Sequence, residues 1–218
     1  MDVKQALNAK QQSIIPIAAF TANGDLERLK IALEEGLAAG LTVNEIKEIL
    51  VHLYAYTGFP RSLNGINTFM AVMTERQAQG IEDEIGPEAS TLPAGMDKDE
   101  YGARVRAKLA GWETIPPPGG YQLFAPIIDT FLKEHLFTDI FARNTLDFQS
   151  RELATIAALA SMTGTAGQLY FHLGAAMNTG LSEAQLFDFI AVLKAKVGQQ
   201  EAGDASAVLT QVISSRTD

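Results

Sequence analysis

A three-residue turn that occurs twice constrains this chain more than any other feature. Gly40-Leu41-Thr42 closes one helical pattern and opens the next, and Gly180-Leu181-Ser182 does the same 140 residues later. At that offset Leu29 meets Leu169, Leu33 meets Leu173 and Leu53 meets Leu193, while Ile46, Ile49 and Leu50 face Leu186, Phe189 and Ile190. With a slip of one residue, Ile14 to Phe20 (IIPIAAF) lies against Leu153 to Leu159 (LATIAAL), so the correspondence spans about forty residues. The shared turn favours an internal duplication over chance matching of apolar helices. Apolar positions recur at helical spacing, as in Leu26, Leu29, Ile31 and Leu33, and stretches of period-two alternation are missing. Gly40 supplies the residue that tolerates a left-handed backbone at a helix end, and Thr42 with Glu45 fits a capping box that opens the next helix. The expected fold is therefore all-α, built from a duplicated helical hairpin.

The halves are read as residues 1–81 and 121–218, joined by a connector over 82–120. The connector changes character through EDEIGPEAS, LPAGMDKDEYG and the proline cluster IPPPGG, with one short helix expected near Gly102 to Leu109. Its position and its proline and glycine content suit a lid over a site. Phe124 to Phe141 resumes an amphipathic pattern. Phe124, Phe131, Phe137, Phe141 and Phe148 read as core or subunit contact rather than as a cofactor box.

Composition narrows the chemistry. The 218 residues are 47% apolar, enough for a substantial core, and contain no cysteine, which removes disulfides, thiolate metal sites and thiol nucleophiles. A net charge of −9 with scattered basic residues argues against nucleic acid as a partner. MDVKQALNAKQQ at the N-terminus lacks the apolar stretch of a secretory signal, and no run reaches the roughly 18 to 20 apolar residues of a membrane span, so a cytoplasmic location without membrane contact is expected.

Only three histidines exist, His52, His135 and His172, and none belongs to a close-spaced metal motif, so no metal is expected. His172 sits inside the apolar helix QLYFHLGAAMN, and its counterpart in the first copy is Ala32. Glu152 precedes it by 20 residues, and its counterpart near Ser13 is not acidic either. Two readings stand. Either Glu152 favours the positive end of its helix while His172 is hydrogen-bonded in the core, or the pair forms one working site per chain. The first copy carries a polar aromatic corner, His52, Tyr54, Tyr56, Gly58, Phe59, Pro60, Arg61 and Asn64, of which its counterpart VLKAKVGQQ keeps only the glycine. Turn chemistry explains Gly58 and Pro60 but not Tyr56, Arg61 or Asn64. Arg61 either forks a carboxylate or is a solvated surface residue.

QLYFHLGAAMNTGLSEAQL and EILVHLYAYTGFPRSLNG together resemble the carboxymuconolactone decarboxylase family, whose simple unit holds both blocks contiguously. Here the first block survives in the second copy, as Arg151, Glu152, Gln168, His172 and Asn178. The last survives in the first copy, as His52, Tyr56, Gly58, Phe59, Pro60 and Asn64. The resemblance implies an alkylhydroperoxidase D-like helical bundle in which the two copies pack about a pseudo-twofold axis. Peroxidase members of that fold need a Cys-x-x-Cys pair where this chain has Ala166 and Leu169, so dithiol peroxide reduction is excluded. The implied activity is a lyase reaction that needs no cofactor, decarboxylation of a small carboxylated lactone or related acid. His172 would be its general acid, Glu152 would orient or charge that ring, and Arg61 or Arg151 would bind a substrate carboxylate. Lactone hydrolysis or isomerisation in the same pocket, and a non-catalytic oligomeric accessory role, are the alternatives. The resemblance also implies a homo-oligomer, a trimer of double units or a dimer.

Overall fold

A computed structural model describes residues 6–217; Asp218 and residues 1–5, which include the start of MDVKQALNAKQQ, lie outside it. Among the described residues the regular elements are all helical. They are α1 (Ala9–Asn23), α2 (Leu26–Ala38), α3 (Val43–Ala78), α4 (Lys98–Ala110), α5 (Tyr121–Phe124), α6 (Pro126–Thr130), a π-helix (Phe131–Ile140), α7 (Phe148–Ala160), α8 (Ala166–Asn178), α9 (Glu183–Lys196) and α10 (Gln199–Thr217).

The duplication is visible in hydrogen bonds. Gly40 and Gly180 both take left-handed backbone, at φ 94° and 108°. Leu41 N–H donates to Gly36 O and Leu181 N–H to Ala176 O, both at 3.0 Å, so the two turns close on matching carbonyls. Thr42 and Ser182 then cap α3 and α9 in reciprocal boxes with Glu45 and Gln185.

Packing follows the same symmetry. In α1 every residue from Ile14 to Ala22 is buried, and in α7 every residue from Arg151 to Leu159. A helix buried on all sides belongs at a centre, and these two equivalents pack along one another there. The cross contacts are reciprocal: α1 touches α9, and α7 touches α3. That exchange is what a pseudo-twofold axis between α1 and α7 requires. The kink in α3 at Gly58, whose φ of 76° and ψ of 163° leave helical space, turns Tyr56 and what precedes it onto α7.

The expected continuous pattern from Phe124 to Phe141 is broken in the structure. Ala125 leaves helical space at φ −136°, ψ 72° before Pro126, which has no N–H to continue the ladder, and a π-helix follows. The π-helix packs on α4, and α4 packs on α8. Val105 and Leu109 of α4, Phe137 and Ile140 of the π-helix, Phe141 and Ala175 of α8 form a second apolar cluster. Tyr56 packs against both this cluster and the main core, so it marks their seam.

Candidate functional site

The site lies at that seam and is built from one face of α3, the buried centre of α7 and the middle of α8. On α3, Glu48, His52 and Tyr56 recur every four residues and so share one helix face. Arg151, fully buried on α7, donates through Nη2 to Glu48 Oε1 at 2.8 Å and to Arg143 O at 2.7 Å. Arg143 donates its Nε to both Glu48 oxygens, at 3.0 and 2.9 Å. One carboxylate thus neutralises part of two guanidiniums. Burial holds the Arg151 pKa below the ordinary guanidinium range, opposed by the Glu48 hydrogen bond.

His52 is fully buried, with Nε2 2.8 Å from Thr155 Oγ1 and Nδ1 3.4 Å from Arg151 Nη1. Thr155 donates its own proton to Arg151 O at 2.9 Å, so its oxygen accepts from His52 and the imidazole carries its hydrogen on Nε2. Burial, and then the Arg151 charge, push the His52 pKa well below its usual value, which keeps the ring neutral.

His172 Nδ1 stands 2.8 Å from Glu152 Oε2, joining α8 to α7. The two candidates from the second copy therefore meet. Tyr56 from the first copy lays its ring against His172 at a centroid separation of 5.3 Å and an angle of 83°, and Phe171 does so from another side at 5.1 Å. His52 is 5.2 Å from the same Tyr56 ring. Residues of the two blocks thus converge through Tyr56, His52, Arg151 and His172.

The convergence is incompletely satisfied. Among the described residues Glu152 Oε1 and Arg151 Nε are buried without a hydrogen-bond partner, and the buried Tyr56 hydroxyl has only a loose contact with Thr155. Burial, and then the Glu152 charge, push the Tyr56 phenol far above its usual pKa, so it keeps its proton. Among the described residues His172 Nε2 has no hydrogen bond. An acceptor and an imidazole nitrogen are thus left open on two side chains that touch. Chemically, a histidine backed by a carboxylate can carry a proton on Nε2 and release it, because the carboxylate stabilises the imidazolium.

Other expected residues lie elsewhere. Phe59 is 63% exposed and stacks on Tyr54 at 4.5 Å, while Pro60, Arg61, Asn64 and Gln168 are exposed. The Arg61 guanidinium lies beside Gly24, at the end of α1. None of these has a hydrogen bond or ring contact to His172 or Glu152 among the described residues. Asn178 pins helices together: its amide donates to Leu109 O at 2.8 Å and its oxygen accepts from Arg216 at 2.9 Å. His135 pairs with Asp139 at 2.9 Å and with the Tyr54 hydroxyl on a more exposed face. No group of three or more potential metal ligands converges among the described residues, and no helix among them is long and apolar enough to cross a membrane. Surface grooves of about 560, 400 and 140 Å³ are present, and His172 lines none of them.

Sequence reasoning missed Glu48, Thr155, Arg143 and Phe171. A signal existed for the first two, since Glu48 with His52 and Arg151 with Thr155 are polar pairs four apart on otherwise apolar helix faces.

The model of the carboxymuconolactone decarboxylase family matches residues 1–69 and 128–211, well over half of the chain and split as a two-repeat member would be. No curated protein matches it.

Proposed function

The chain belongs to the carboxymuconolactone decarboxylase family, and on that premise we propose that it is a cofactor-free lyase that releases carbon dioxide from a small carboxylated lactone or related acid, with His172 as general acid. In this reading the carbon–carbon bond to the carboxylate breaks and its electron pair moves into the conjugated lactone carbonyl, which serves as electron sink. Carbon dioxide leaves, and His172 Nε2–H then protonates the carbon. Glu152 holds the ring by Nδ1 and stabilises its charged form, and the Tyr56 hydroxyl is available to the developing oxyanion.

One observation carries the reading: among the described residues Glu152 Oε1 is buried without a hydrogen-bond partner, and the His172 ring that the same carboxylate holds makes no bond through Nε2. A histidine retained only for packing would have its buried neighbours satisfied, because each orphaned polar group costs about 1–3 kcal/mol. Tyr56 and Phe171, which flank His172, pack against the apolar cluster of α4 and the π-helix, so in this reading substrate enters by displacing those two elements. A second reading, a non-catalytic accessory role, is favoured by the 6% exposure of His172 and its absence from the surface grooves.

The test is carbon dioxide release from carboxymuconolactone and simpler carboxylated butenolides. Wild-type protein is expected to turn over at least one of them, and His172→Gln to lose roughly 10²–10⁴-fold in rate with its helix content unchanged. An unchanged rate in His172→Gln removes the histidine assignment, and no wild-type turnover on any of them favours the accessory role.

A further inference from the structure

We propose that the groove of about 560 Å³ between α4 and the start of α7 is a binding site for a small planar carboxylate, held by Arg143 and Lys108. Its volume falls within the roughly 300–1,000 Å³ typical of small-molecule clefts. The site is separate from His172, and the argument for it stands whether or not that histidine is catalytic.

Charge identifies the ligand. Arg143 is held by Nε against Glu48, and its two terminal nitrogens have no hydrogen bond among the described residues. The side chain is 40% exposed and lines the groove, so a pre-positioned guanidinium edge is available there. Glu48 does not cancel it, because that carboxylate is shared with buried Arg151 and the trio keeps one net positive charge. Lys108 forms no ion pair among the described residues and rests its Nζ 4.7 Å from the centre of the Phe148 ring. The single acid in the lining, Asp147, already accepts the Ser150 N–H at 2.7 Å as the cap of α7. The groove therefore carries excess positive charge on a chain of net charge −9. Tyr101, Phe141 and Phe148 supply aromatic walls, which select a flat unsaturated or aromatic acid over a compact anion.

Benzoate is the probe, titrated calorimetrically into the full chain with benzamide as its uncharged counterpart. Benzoate is expected to bind and benzamide not to. Arg143→Gln should weaken benzoate by about tenfold or more, since a charge-assisted fork is lost. That variant keeps the Glu48–Arg151 pair and so its buried charge balance, and its thermal midpoint checks the fold. Exposed Lys108→Gln gives a second reading, with an expected loss of about threefold. His172→Gln should bind benzoate as the wild type does. The proposal is overturned if wild type does not bind benzoate, if benzamide binds equally, if neither cation variant changes affinity, or if His172→Gln abolishes binding.

Discussion

Glu48 is the residue on which the buried polar centre depends, because it is the one anion paired with Arg151 among the described residues and the Arg151 side chain is wholly out of water. Glu48→Gln is expected to destabilise the fold by about 3–5 kcal/mol, measured by urea unfolding, since it strands a buried guanidinium. Replacing Glu48 and Arg151 together by Gln and Met should cost less than Glu48→Gln alone. His52 adds a pH dependence whose sign is fixed. Its folded pKa lies well below the ordinary 6.5, so beneath pH 6.5 the unfolded chain takes up a proton that the folded chain refuses. The stability is complete above that value and is lost as pH falls towards the folded pKa. One such proton corresponds to about 1.4 kcal/mol per pH unit at most, and unfolding of His52→Gln between pH 6.5 and 5 should show a slope shallower by up to that amount. At this scale the pairing of Glu152 with His172 was legible, because an acid and a histidine both confined to one copy stand out against the repeat. The Glu48–Arg151 pair was not: its members are 103 positions apart, and spacing along a chain does not say which helices will face each other.

At the scale of elements, α4 and the π-helix approach backbone to backbone. A methyl group added at Gly102 would come within 1.9 Å of the Lys133 carbonyl oxygen, a backbone atom that cannot rotate aside. At Gly36 and Gly65 the nearest atoms, at 2.9 Å, are the ends of Ile17 and Leu50 side chains. Gly102→Ala should therefore cost about 1–3 kcal/mol and part α4 from the π-helix, whereas Gly36→Ala and Gly65→Ala should cost less; thermal unfolding of the three variants would order them. Thr138 ties the same seam by donating near-equally to Lys98 O at 2.8 Å and Lys133 O at 2.9 Å. The Lys133 bond spans five residues, the π-helical interval, so a hydroxyl on a buried side chain helps satisfy a backbone that the α-helical ladder does not. Caps and turns of the repeats were readable because they are local, as Gly40, Thr42 and Glu45 show. The π-helix was not, since it packs on α4, and Thr138 within it bonds to Lys98 O, 40 residues upstream.

Over the whole molecule, exposed apolar side chains are scattered except in one stretch where they run together. Tyr121 is 54% exposed, Leu123 68%, Phe124 93%, Ile127 61% and Phe131 57%, all on α5, α6 and the first turn of the π-helix. A run of that size is characteristic of an interface, and contact with a second copy is the occupant we propose for it. The net charge of −9 opposes such contact at long range, and salt screens that repulsion while leaving apolar burial intact. Self-association measured by sedimentation should therefore strengthen as salt rises, the reverse of an interface held by ion pairs. Phe124→Asp should shift the equilibrium towards monomer without unfolding the chain, because its side chain touches almost nothing within it. The consequence reaches the buried site. The same stretch leads directly into the π-helix, which with α4 builds the apolar cluster against which Tyr56 and Phe171 pack, so a copy docked there would restrain that cluster. Hydrogen exchange should then be faster over Lys98–Ala110 and Phe131–Ile140 in Phe124→Asp than in wild type, with α1 and α7 unchanged; equal rates in both would separate assembly from access to the histidine.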